Sequence, residues 1–153
     1  MSSVLNFVRL PHVLILLWAV LRLGVSQFGG MDYAPRGSGF FSLVWLTTIS
    51  CLFWGALSVS VKKYDWKGTL LSGALIALWA QILIFVFTIF SFAAGWSNSF
   101  YIHPDALNLP PGEAVTWSVI FSGRFVGMII NVIIGAIVAA IGRMLAKWAP
   151  TPA

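Results

Sequence analysis

Charge is scarce in this sequence, and the scarcity excludes most water-soluble folds. Asp, Glu, Lys and Arg together supply 8% of 153 residues, against roughly 25% in a typical soluble domain. So little charge cannot coat a water-facing surface, and hydrophobic residues make up 59% of the chain. Cysteine is nearly missing too. Cys51 stands alone, which excludes an intrachain disulfide, a CxxC redox pair and a cysteine cluster for zinc or iron–sulfur. Its surroundings, TTISCLFWG, are apolar and mark it as a small packing residue. No Asp or Glu falls inside an apolar run, so the membrane carboxylate of a proton-coupled small exporter is lacking. No apolar run pairs histidine with glutamate, which excludes an intramembrane metalloprotease. Internal repeats, low-complexity tracts and a second domain are lacking as well.

What is present is four long apolar runs, at about 10–28, 40–61, 69–95 and 115–141. At ~1.5 Å rise per residue each covers a hydrocarbon layer of ~30 Å, the last two with tilt or protrusion. The expected fold is an all-α integral membrane protein: one domain over residues 1–153, its four transmembrane helices forming an up-down antiparallel bundle. Pro11 suits the first turn of a helix, where its missing N–H has no partner to lose. Residues 10–21 resemble a signal-peptide core, but Arg22 would separate that core from the small residues Gly24, Val25 and Ser26. The first run is therefore read as an uncleaved helix.

Orientation follows from Lys and Arg in the short loops. Arg9, Lys62, Lys63, Lys67, Arg143 and Lys147 fall on one side, and Arg36 alone sits in a loop on the other. The expectation is both termini on the cytoplasmic side, in a membrane such as the bacterial inner membrane. Asp32, Asp105 and Glu113 then lie outside, and Tyr and Trp residues (Tyr33, Tyr64, Tyr101, Trp66, Trp96, Trp117, Trp148) fall near the boundaries as an aromatic belt. The net charge of +5 makes no continuous basic patch, so nucleic acid is not an expected partner.

The polar residues inside the runs are the candidate sites. Arg22 and Arg124 come from oppositely running helices and reach a similar depth, on the order of 9–13 Å below the outer boundary. Each either snorkels outward or pairs with Asp32, Asp105 or Glu113, or the two together form a cationic pocket for a lipid headgroup, a carboxylate or a small anion. In the fourth run Gly123, Gly127, Asn131, Gly135 and Ala139 recur every four residues, a small-residue ridge for close helix packing. Gly73, Ala77 and Gln81 answer at the same spacing in the third. Gln81 and Asn131 reach nearly the same depth, so a mid-membrane amide contact is expected, because an unpaired amide in hydrocarbon is costly. A polar step on a transport path is the alternative.

Weaker candidates remain. His12 at the inner start of the first run could ligate a pigment or haem completed by another chain. His103 with Asp105, one residue apart, is a sparse metal motif. Hydroxyls of the second run (Ser42, Thr47, Thr48, Ser50, Ser58) have no histidine or carboxylate nearby in the membrane, so they are expected to bond helix carbonyls. The leading expectation is a non-catalytic packing or accessory subunit of a homo-oligomer or larger membrane assembly, with no cofactor and no metal. Its expected partners are membrane lipids and copies of itself or other membrane subunits. Two alternatives are kept: a small anion or anionic-lipid channel or carrier using Arg22 and Arg124, and a pigment- or haem-binding subunit using His12.

Overall fold

The computed structural model describes residues 2–148; the proline-containing tail, residues 149–153, lies outside the described residues. Among these, regular structure is entirely helical, without strands. A short helix, Ser2–Phe7, leads into α1 (Arg9–Phe28), followed by α2 (Leu43–Ser60), α3 (Trp66–Ala93) and α4 (Trp117–Leu145). By length and composition all four are capable of crossing a membrane.

Local chemistry sets the ends. Asp65 Oδ1 accepts from the Gly68 amide at 2.8 Å, an N-cap that starts α3 at Trp66 rather than at residue 69. Ser42 caps α2 and Thr116 caps α4 through the amides of Trp45 and Val119, both at 3.4 Å. Arg143 lies in the last turn of α4, where a cation complements the helix dipole. The first run has a feature the sequence did not announce. Pro11 has no N–H to offer the Phe7 carbonyl four residues back, and the Trp54 indole of α2 donates to that carbonyl instead, at 2.9 Å. Pro11 thereby opens an acceptor that ties α1 to α2.

α3 packs against each of the other three long helices, most extensively against α4. Ile15, Ala19, Cys51, Ile76, Ala77 and Ala80 form the centre of the core. Between α2, α3 and α4 the backbones nearly touch. A Cβ on Gly55 would meet the Ala139 carbonyl, one on Gly73 the Gly135 carbonyl, one on Gly135 the Ala77 methyl, and one on Gly142 the Leu52 carbonyl. Gly123 and Gly127 have no neighbour within 4 Å at that position. The four-residue ridge of α4 is thus divided. Its half near Arg143 is the contact face, with Gly142 added at a seven-residue step from Gly135, and its other half is open.

The two ends of the helices differ. One carries Lys62, Lys63 and Lys67 and is closed by Arg143, which donates to the carbonyls of Tyr64 (2.6 Å) and Asp65 (3.1 Å) and to Thr69 Oγ1 (2.9 Å). Its guanidinium lies 4.8 Å from the Trp66 ring centre. The other end carries the segments joining α1 to α2 and α3 to α4, and is called the loop end below.

Candidate anion site at the loop end

The segment between α3 and α4 folds back into the mouth of the helices rather than over it. Phe100 and Tyr101 are each 1% exposed although neither is helical. Buried loop backbone must find partners, and side chains supply them. Ser99 Oγ lies 2.7 Å from Ser91 Oγ and accepts from the Tyr101 amide at 3.3 Å. The Tyr101 hydroxyl donates to the Ala19 carbonyl at 2.8 Å, and burial holds this phenol above its usual range, outweighing the opposite pull of Arg22 and Arg124.

Both membrane arginines reach this buried loop. Arg22, 7% exposed, donates from Nη1 to the Phe41 carbonyl (2.6 Å) and from Nη2 to the Phe100 carbonyl (3.3 Å). Its guanidinium carbon sits 5.3 Å from the ring centres of Phe100 and Tyr101 and 6.0 Å from that of Tyr33. Arg124 is half-buried and donates from Nε to Thr88 Oγ1 (3.0 Å), from Nη1 to the Ala106 carbonyl (3.1 Å) and from Nη2 to the Tyr101 carbonyl (2.6 Å). These are charge-assisted bonds, stronger than their neutral counterparts. All but the bond to Thr88 end on backbone carbonyls, those of Phe41, Phe100, Tyr101 and Ala106.

The carbonyls take up hydrogen bonds but carry no charge to balance two cations. The one close approach of a basic to an acidic side chain among the described residues is His103 Nδ1 to Asp105 Oδ2, at 3.7 Å. Neither arginine contacts Asp32, Asp105 or Glu113, so the acid partners considered from the sequence are replaced by loop carbonyls. Arg22 and Arg124 instead line a common cavity of about 120 Å³, with Ser42, Leu43, Val44 and Tyr101 among its walls. One water needs roughly 10–15 Å³ of such space, so a group of several atoms fits. Tyr33 lines both this cavity and an open vestibule of about 580 Å³, where Asp32 and Asp105 are the acidic lining residues among the described ones.

The other candidates lie elsewhere. Gln81 and Asn131 border one crevice of about 10 Å³, room for a single water at most. Asn131 Nδ2 donates to the Gly127 carbonyl of its own helix at 2.8 Å, and among the described residues no hydrogen bond joins it to Gln81. His12 Nε2 is 3.3 Å from the Leu75 carbonyl, and its ring leans on Trp79. His103 stacks on Tyr33 at 4.2 Å. Among the described residues no group of three or more His, Cys, Asp and Glu side chains is placed to hold a metal ion. Thr47 and Thr48 donate back to carbonyls of α2, and Ser58 to that of Gly55.

Residues the sequence reasoning passed over include Tyr101 as the hub of the loop, Thr88, Gly55, Gly142 and the carbonyls of Phe41, Phe100 and Ala106. For the carbonyls no residue-type signal exists. Comparison with protein-family models, with curated proteins and with solved structures finds no match to this chain.

Proposed function

We propose that this chain is a four-span membrane protein that binds an anionic group between Arg22 and Arg124. Its helices run up and down, with both termini on the cytoplasmic side. One observation carries the binding reading: two guanidiniums from different helices line a single cavity that holds no carboxylate among the described residues. A buried charge without a counter-charge is costly, and a bound anion offsets that cost for both arginines at once. The orientation rests on six Lys and Arg residues against one in the loops. The up-down arrangement is supported by the clustering of Tyr64, Asp65 and Arg143 at one end and of Arg22, Phe41 and Arg124 at the other.

The test is thermal unfolding of the purified protein in detergent, with inorganic phosphate titrated against chloride at matched ionic strength. A ligand that binds only the folded state stabilises it by about 2.7 kcal/mol at a concentration a hundredfold above its Kd. Arg22→Gln and Arg124→Gln are expected to lower the unliganded midpoint, since loop carbonyls lose their donors, and also to abolish the phosphate-dependent rise. Lysine at either position restores charge without the planar fork and recovers only part of the rise. If phosphate shifts wild type and all four variants alike, the arginines are loop staples and the binding reading is wrong.

A second reading, a packing subunit of a homo-oligomer or larger assembly, is favoured by α4. It exposes Ile129, Ile133 and Ile137, and Gly123 and Gly127 have no neighbour within 4 Å of a Cβ position. Mass spectrometry of gently purified protein would reveal such partners as fixed stoichiometries.

A further inference from the structure

We infer that the group bound between Arg22 and Arg124 is a phosphate monoester carried on a lipid, admitted sideways from the bilayer. The inference rests on the anion-binding reading and adds the ligand's chemistry and its route.

The chemistry follows from the donors and their directions. Arg22 comes from α1 and Arg124 from α4, while α2 begins at the cavity wall with Ser42 and Leu43. The amide of Leu43 is the first of α2 and has no acceptor within the helix. The positive end of an 18-residue helix favours an anion at that place. Arginine donors from two helices beside the start of a third suit the oxygens of a tetrahedral phosphate, whereas a carboxylate presents two oxygens in one plane. Charge narrows the class further. Two guanidiniums face the cavity, and a phosphate monoester brings about −1.5 to −2 charges at neutral pH. A phosphodiester or a carboxylate brings a single charge and leaves one guanidinium unbalanced.

The route follows from what surrounds the cavity. Toward the loops, Arg22 is covered by the rings of Tyr33, Phe100 and Tyr101, and Tyr33 is itself stacked on His103. Beyond that cover lies the vestibule, which sets the carboxylates of Asp32 and Asp105 in the path of a soluble anion approaching from water. Val44 is different. It lines the cavity and is 52% exposed, next to Trp45 at 66%, on a surface that faces hydrocarbon in a spanning α2. A lipid whose acyl chains stay in the bilayer would reach the arginines past Val44, without crossing the acidic vestibule.

The experiment places the full chain in phosphatidylcholine nanodiscs doped with phosphatidic acid or with phosphatidylglycerol, and measures retained lipid by native mass spectrometry. A parallel arm titrates inorganic phosphate and follows thermal unfolding. Wild type is expected to retain phosphatidic acid over phosphatidylglycerol by at least about tenfold, the effect of one further charge beside two guanidiniums. Val44→Trp is expected to lower phosphatidic acid retention severalfold, and in the parallel arm inorganic phosphate is expected to stabilise the wild-type protein. Equal retention of the two lipids overturns the monoester assignment, and unchanged retention in Val44→Trp overturns the lateral route. In both cases a phosphate response that depends on Arg22 and Arg124 leaves the anion-binding reading standing. If no probe gives an arginine-dependent response, that reading falls as well.

Discussion

Replacing Gly142 by alanine adds one methyl group, yet the structure makes the outcome severe and gives a control of opposite sign. The new Cβ would meet the Leu52 carbonyl oxygen of α2, with its carbon at 2.9 Å and the Ala56 amide nitrogen at 3.1 Å. Every one of these atoms is backbone, so no rotamer change relieves the contact and the helices must separate. Gly55→Ala meets the same obstacle from the facing side, where the carbonyl carbon and Cα of Ala139 are both 2.7 Å away. Overpacking of this kind costs about 1–3 kcal/mol, and more when neither side yields. Gly123→Ala and Gly127→Ala occur on the same helix as Gly142, but nothing lies within 4 Å. There alanine gains its advantage over glycine in a helix, about 0.5–1 kcal/mol. The two classes should therefore differ by roughly 1.5–4 kcal/mol. Equilibrium unfolding in mixed micelles of increasing denaturing detergent would measure this, with helicity and tryptophan fluorescence followed together. Equal stabilities for Gly142→Ala and Gly127→Ala would refute the assignment of the contact face. A destabilised Gly123→Ala or Gly127→Ala would instead mean that a second chain packs on the open half of α4.

Three further outcomes are expected. Trp54→Phe should cost about 1 kcal/mol by stranding the Phe7 carbonyl, and Pro11→Ala should lessen that cost by restoring the helical donor; a double-mutant cycle showing no coupling would disprove the compensation. Gln81→Leu and Asn131→Leu should be additive within ~0.5 kcal/mol, because Asn131 bonds its own helix; a larger coupling in the same unfolding assay would mean that the amides meet. An accessibility reporter placed between residues 98 and 108 should read external and one within 64–67 cytoplasmic, and the reverse pattern would overturn the charge-based orientation.

The sequence by itself was sufficient for the number and position of the long helices. Each is a continuous apolar run bounded by turn residues, and the signal for it is local: hydrocarbon thickness sets the length, while caps such as Asp65 and Thr116 set the start. The expected starts of α2 and α3 each missed by three residues, toward the loops and basic segments where apolar periodicity fades and a single cap decides. Arg22 and Arg124 stood out for the same local reason, since a charge within an apolar run is conspicuous. Their partners were not legible. The Phe41, Phe100, Tyr101 and Ala106 carbonyls are common to every residue type, and Phe100 lies 78 residues from Arg22. Nor could spacing alone divide the glycine ridge. A step of four residues puts Gly123, Gly127 and Gly135 on one face, but contact depends on where the neighbouring axis crosses it. Atoms of α2 or α3 lie within reach of a Cβ at Gly135 and Gly142 but not at Gly123 or Gly127. Farther along, toward the loop end, Arg124 and the buried Phe100–Tyr101 segment meet at a cavity. Composition determined a set of membrane-length helices. The rotation of each helix, and the folding of a loop into their mouth, decided which glycines touch and that two distant arginines share one pocket.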